Sequence, residues 1–269
     1  MSTIQAIILG IVQGLTEFLP VSSSGHLVLV PWWLGWENPG LAFDTLLHWG
    51  TLLAVVIYFW RDWWEMLLAV VNRLRGRATD GKDRLFLAIV IGSIPAAVIG
   101  YLFEDFFESL FHSPAAASFF MIITGFILVF AERWHRTGGS ITKLTMVDAL
   151  FIGFAQAMAI APGISRSGST IAAGLVRGLD RPSAARFSFL LGTPIIFGAG
   201  LFQLKDLAAV GVTGNQPVIL LAGFLAAAIT GFLCIRWLLR YLQNHTLYIF
   251  AIWVWIVAAL SLIRYALIS

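Results

Sequence analysis

Two short polar segments interrupt an otherwise oily chain, "LTEFLPVSSSGH" at residues 15–26 and "PGISRSGST" at 162–170. In the first, Glu17 is a carboxylate set among apolar residues, which is costly to bury and marks a functional site by default. Gln13 stands four residues before it, so on a helix the two share one face. Ser22, Ser23 and Ser24 precede the helix-like run "HLVLVPWWLGW", which His26 opens. Ser and Gly at such a place cap a helix. The free N–H groups and dipole of the same terminus also attract anions. The second segment repeats the arrangement with Ser165, Ser167 and Thr170, and adds Arg166, whose planar fork suits phosphate oxygens. The plainer readings are serines that only cap and an Arg166 that only pairs with Glu17. Asp44 and His48, also four apart, either line the same mouth or sit at a solvated helix end, and the sequence does not choose. His112, His135 and His245 fall in loops and suggest no role.

These groups need elements to hold them. Of 269 residues, 59% are hydrophobic and only 12% charged, with a mean hydropathy of +0.88. Such a chain reads as an all-α polytopic membrane protein. About six stretches suffice to cross a bilayer of ~30 Å: residues 41–60, 85–103, 115–132, 184–204, 217–237 and 247–265. Two further apolar regions, 4–35 and 146–178, are broken by the polar segments and read as re-entrant helical hairpins. Such backbone is tolerated at depth only when buried in protein or facing a polar cavity. The N-terminus has no basic start or cleavage pattern and reads as part of the mature protein. One cysteine, Cys234, excludes an internal disulfide.

The broken regions resemble one another. Aligned from residue 10 on 153 to 47 on 190 without a gap, they share nine identities, among them Gln13/Gln156, Ser22/Ser165, Ser24/Ser167 and Gly25/Gly168. Three spans separate them, so the copies enter from opposite faces. The chain is thus expected to be a single membrane domain, 1–269, built of inverted repeats over 4–132 and 146–265, with the two polar tips meeting within the membrane. With the N-terminus outside, the outer segments hold only Lys205 and Arg264 of the 17 basic residues. This positive-inside bias supports the orientation. The net charge of +3 and pI near 9.3 are accounted for by these inner loops, and no nucleic-acid motif or partner is expected.

The pattern Gln13-x-x-x-Glu17 with the following serines and His26, together with Pro-Gly-x-Ser-Arg-Ser-x-x-Thr at 162–170, resembles the bacitracin-resistance family of undecaprenyl-diphosphate phosphatases. The likeness extends over essentially the whole chain. It implies hydrolysis of undecaprenyl diphosphate to the monophosphate and inorganic phosphate at the outer face of the bacterial inner membrane. That reaction recycles the lipid carrier for peptidoglycan synthesis and confers bacitracin resistance. The resemblance also implies a divalent cation, Mg²⁺ or Ca²⁺. Gln13 and Glu17 are its candidate protein ligands, though Gln13 stands where some members carry Glu, which weakens a site with two acids. The expected partners are a polyprenyl diphosphate and membrane lipids, with a homodimer left open.

For this substrate Arg166 would hold the phosphates, with Ser22, Ser24, Ser165, Ser167 and Thr170 hydrogen-bonding them. Three attacking groups stay open. Ser23, ranked first, would attack with Glu17 or His26 as base. His26 could attack directly, or Glu17 and a metal could activate water. A transporter or flippase for a phosphorylated polyprenyl lipid, alone or as a second function, is the alternative. A purely structural membrane protein is the other rival.

Overall fold

The computed structural model describes residues 1–111, 113–135, 138–209 and 216–268. Outside them lie His112, Arg136 of the basic residues assigned to the inside, residues 210–215 of the segment 205–216, and Ser269 of the tail. In chain order the helices are α1 (Thr3–Phe18), α2 (Ser23–Leu34), α3 (Leu41–Tyr58), α4 (Trp60–Leu74), α5 (Lys82–Leu102), α6 (Glu104–Leu110), α7 (Pro114–Trp134), α8 (Met146–Met158), α9 (Arg166–Val176), α10 (Arg181–Ala209), α11 (Gln216–Tyr241) and α12 (Tyr248–Ile268). Among the described residues there is no strand beyond one isolated bridge, Gly139 to Leu179.

Six of these helices are long and apolar enough to cross a membrane: α3, α5, α7, α10, α11 and α12. Their ends fall within a few residues of the expected spans. Only 22% of the α12 window and 28% of the α11 window is buried within the chain. Their outer faces present large apolar groups, such as Leu221, Ile229, Leu233, Ile252, Ile256 and Leu260. In water such a surface would aggregate; in hydrocarbon it is at home.

The two broken regions are each a pair of short helices packed on one another, α1 with α2 and α8 with α9. Each begins at a built cap. Ser2 and Gln5 close a capping box on α1, and Thr145 and Asp148 close one on α8. At 1.5 Å per residue, the 16 residues of α1 rise about 24 Å, short of a ~30 Å core. Glycines let these helices lie close to their neighbours. A Cβ on Gly10 would stand 2.4 Å from the Gly223 carbonyl oxygen of α11, and one on Gly153 would stand 2.2 Å from that of Gly92 on α5. The aligned pair Gly10/Gly153 thus makes the same kind of contact in both broken regions. Farther along the same α1–α11 seam, the buried Cys234 of α11 donates its thiol to the Leu15 carbonyl at 3.3 Å.

The segment 61–84, which joins the expected spans 41–60 and 85–103 on the inner side, is not all loop, because 60–74 is the helix α4. Its apolar residues Trp60, Trp64, Leu67, Leu68 and Val71 recur at helical spacing and are exposed, while Met66 and Ala69 turn inward. That is the pattern of a helix lying at a membrane surface. Ion pairs tie it down: Asp62 to Arg186 of α10, Glu65 to Lys82 at 3.0 Å, and Arg73 to Asp83 of α5. Nearby Glu132 of α7 receives Arg181 through bonds of 2.5–3.2 Å and also accepts the Leu247 N–H at 2.7 Å. Many of the basic residues therefore have acidic partners in the fold as well as a topological role.

Candidate active site

The two polar segments meet. Ser22 caps α2 by accepting the Gly25 N–H at 3.2 Å, and Ser165 caps α9 by accepting the Gly168 N–H at 3.0 Å. The first-turn amides of Ser23, Ser24, Arg166 and Ser167 are left without intrahelical acceptors, as helix geometry requires. Ser22 takes φ +70°, and is the one described non-glycine residue with a positive φ. Such a conformation costs about 1–3 kcal/mol and persists where the surroundings over-determine it. Here the surroundings are the opposite turn. Ser167 donates its hydroxyl to the Leu19 carbonyl at 3.0 Å, and the Gly163 N–H reaches the Ser24 hydroxyl at 3.4 Å. Gly25 lies so close that a Cβ would stand 3.2 Å from Gly163 Cα. Thr124 of α7 braces the second turn, donating to the Gly163 carbonyl at 2.8 Å and accepting from the Ser165 N–H at 2.9 Å.

Glu17 is the hub. Its side chain is 4% exposed. Oε1 accepts from Arg166 Nη2 at 2.8 Å, while Oε2 accepts from the Ser23 hydroxyl at 2.6 Å and from Gln13 Nε2 at 3.1 Å. His48 Nε2 stands 3.5 Å from the same Oε2. An Arg–carboxylate pair removed from water is strongly coupled, and losing either partner strands the other charge. Arg166 also donates Nη1 to the Ser188 carbonyl of α10 at 3.2 Å. Its guanidinium fills the space left by a missing side chain: a Cβ on Gly192 would lie 1.8 Å from Nη1.

Around this hub Ser23, Ser24, Arg166 and His48 are partly exposed, whereas Gln13, Ser22, His26, Ser165, Ser167 and Thr170 are buried. The buried hydroxyls are used within the protein. Thr170 bonds the Arg166 carbonyl at 2.8 Å and Ser188 Oγ at 2.6 Å, and Ser165 Oγ and Ser167 Oγ lie 3.3 Å apart. His26 is held at both nitrogens. The Ser22 carbonyl can only accept, so Nδ1 carries the proton across 2.7 Å; the Trp253 indole can only donate, so Nε2 supplies the lone pair across 3.1 Å. Among the described residues no three His, Cys, Asp or Glu cluster as a metal site. Gln13 Oε1 is a spare acceptor, buried and bonding no donor.

Every sequence-selected residue thus lies in or beside one site. His48, left undecided by spacing, faces it. Trp253, Ser188, Thr124 and Gly192 also shape it and come from three other helices, α12, α10 and α7, with no local signal beyond their types.

The fold and the site together define a multi-pass, all-helical membrane protein with one polar centre at the meeting of two helix N-termini. The profile of the bacitracin resistance protein BacA family matches residues 6–260. A protein of Desulforudis audaxviator named undecaprenyl-diphosphatase is 47% identical over 94% of each chain, and one of the same name from Thermomicrobium roseum is 46% identical over 94% of each. A third, from Pelotomaculum thermopropionicum, is 44% identical over 98% of this chain and 96% of its own. The chain belongs to the bacitracin resistance protein BacA family.

Proposed function

We propose that this protein hydrolyses undecaprenyl diphosphate to undecaprenyl phosphate and inorganic phosphate, and so supports bacitracin resistance. The relatives' shared name and the family membership support the reaction. The geometry that carries the site assignment is one buried carboxylate gripped between Ser23 at 2.6 Å and Arg166 at 2.8 Å.

In this reading Ser23 attacks the terminal phosphorus. Its Oγ–H bond breaks toward Glu17 Oε2, to which it already points, and the bridging P–O bond breaks to release the polyprenyl monophosphate. Arg166 swings its fork from Glu17 onto the phosphoryl oxygens, where the first-turn amides of α2 and α9 add N–H donors aimed at developing charge. Water then displaces Ser23 from phosphorus, and the serine recovers a proton. His26 is the weaker candidate for nucleophile or base because neither nitrogen is free; it would instead fix the Ser22 turn. Ser22, Ser24, Ser165, Ser167 and Thr170 shape the cradle, and those buried and already bonded act on the phosphates by holding the amides in place.

A divalent cation would be held by the spare Gln13 Oε1 and by Glu17, with most positions left to diphosphate oxygens and water, the usual habit of Mg²⁺. When bound it would neutralise phosphate charge. The 1–269 chain is read as one domain of inverted repeats over 4–132 and 146–265, with α1–α2 and α8–α9 as re-entrant hairpins. The matched packing of Gly10 and Gly153 supports that reading. We place the protein in the bacterial inner membrane with its N-terminus and site toward the outside, on the distribution of Lys and Arg.

Transport of a phosphorylated lipid is not favoured, since the relatives carry the name of a hydrolase. The test is phosphate release from undecaprenyl diphosphate in detergent, where no gradient exists. Wild type should turn over, while Ser23→Ala and Glu17→Gln should lose at least about 10²-fold, the span of positioned acid–base groups. A Ser23→Ala enzyme with the wild-type rate would overturn the assignment of the nucleophile.

A further inference from the structure

We infer that a cavity separate from the polar centre holds an anionic phospholipid by its phosphate. The cavity has a volume of about 640 Å³, in the range of small-molecule sites. It lies where α5 and α8 start, between the first turns of α5 and residues 141–146. Those residues run from a 3₁₀ turn (Ile141–Lys143) into the Thr145 cap of α8. None of the residues of the polar centre lines it.

Its wall changes character with depth. Lys82 and Arg84 stand in the first turn of α5, a membrane-spanning helix, and Lys143 ends the 3₁₀ turn. Leu85 and Ala88 follow on α5. At 1.5 Å per residue they lie about 4.5 Å and 9 Å past Lys82, toward hydrocarbon. Leu144 and Met146 add to the apolar part. The rim is at the level of the membrane surface, because the ion pairs of Glu65 with Lys82 and of Arg73 with Asp83 fasten α4 to this same turn. The exposed Trp60 and Trp64 of α4 belong at headgroup depth.

Charge selects the ligand. Lys82 is already matched, by Asp80 at 2.9 Å and Glu65 at 3.0 Å, so Asp80, the acid on the wall, is engaged as well. Arg84 and Lys143 are exposed, and among the described residues neither pairs with an acid. Two uncommitted cations above an apolar floor complement a phosphodiester head with acyl carbon beneath it, and basic pockets at a membrane face take such heads. Inorganic phosphate or an acidic peptide would use the cations and leave the floor wet. A zwitterionic lipid would set its own ammonium against Arg84 and Lys143. The lipid comes from the leaflet at this face, the inner one in the orientation proposed above.

The test is native mass spectrometry of the full-length protein in detergent, with palmitoyl-oleoyl phosphatidylglycerol or phosphatidylcholine added. Wild type should bind one phosphatidylglycerol at least about 10-fold more tightly than phosphatidylcholine. Arg84→Gln with Lys143→Gln should weaken it about 10-fold to 30-fold, the effect of removing two interfacial cations. Arg75→Gln with Arg77→Gln removes the same charge from exposed positions off the cavity and should change binding less than twofold. Phosphate release in lipid-free detergent should match wild type in both double variants, which shows that they fold. Equal losses in the two double variants would mark diffuse attraction to a basic surface and overturn the site. Phosphatidylcholine binding as tight as phosphatidylglycerol would overturn it too, as would displacement of the lipid by millimolar inorganic phosphate. The binding readout does not depend on the hydrolytic reaction, so failure of that assignment leaves this one standing, and the reverse.

Discussion

Replacing Gly192 with alanine should disable the site without substituting any residue that meets substrate. The new methyl would stand 1.8 Å from Arg166 Nη1, 2.4 Å from Cζ and 2.9 Å from Nη2. Non-bonded heavy atoms rest at about 3.5 Å, so the guanidinium must retreat by about 1.5 Å. The bonds to Glu17 at 2.8 Å and to the Ser188 carbonyl at 3.2 Å do not survive such a shift. A hydrogen bond to a charged group contributes about 1.5–3 kcal/mol. Loss of one such bond to the reacting phosphoryl group lowers kcat/KM about 10-fold to 150-fold. The displaced atoms are the flexible end of one side chain and alanine favours a helix interior over glycine, so the chain should still fold, with a lower thermal midpoint because buried Glu17 loses its partner. The assay is phosphate release in detergent beside a thermal melt. Gly198→Ala on the same helix, whose Cβ would meet nothing within 4 Å, is the control and should be silent. A Gly192→Ala protein with wild-type kcat/KM would refute the placement of Arg166 as the phosphate-gripping group.

Other substitutions test the supports of the site. Thr124→Val removes the hydroxyl that serves both the Gly163 carbonyl and the Ser165 N–H, at about 1–3 kcal/mol for each buried group left unpaired; the melting temperature should fall and activity with it. Glu132→Gln weakens the forked pair with Arg181 and should cost about 3–5 kcal/mol, read as a lower thermal midpoint, while kcat of the protein that remains folded stays near wild type. Trp253→Phe frees His26 Nε2; a net bond of about 0.5–1.5 kcal/mol predicts a twofold to 10-fold loss in kcat/KM, and a larger loss would mean that the indole does more than hold the ring.

The sequence made the spans and the polar centre legible for different reasons. Twenty-residue apolar runs need no tertiary knowledge, so α3, α5, α7, α11 and α12 fall close to their expected bounds. Helix α10 runs on to Ala209, past the expected 204. Glu17, Arg166 and the serines stood out because polar groups in such runs are rare. Helix α4 was hidden by its charge: counting Arg and Lys in 61–84 for topology masked the recurrence of Trp60, Trp64, Leu67 and Val71. The partners that complete the centre were not readable. Nothing local distinguishes Gly192 from the other glycines of α10, or Trp253 from its neighbours, since their roles exist only once α10 and α12 pack beside the two turns. His48 was visible but ambiguous, because a spacing of four residues does not say which way the face points.

The seclusion of Cys234 has a practical consequence. Its sulfur is committed to the Leu15 carbonyl and shut in by α1, so a bulky maleimide has no path to it in the folded protein. A cysteine engineered at an exposed position such as Glu37 or Asp80 can then be labelled alone in the natural background. Impermeant reagents applied to whole cells would thereby report, loop by loop, which compartment each one faces.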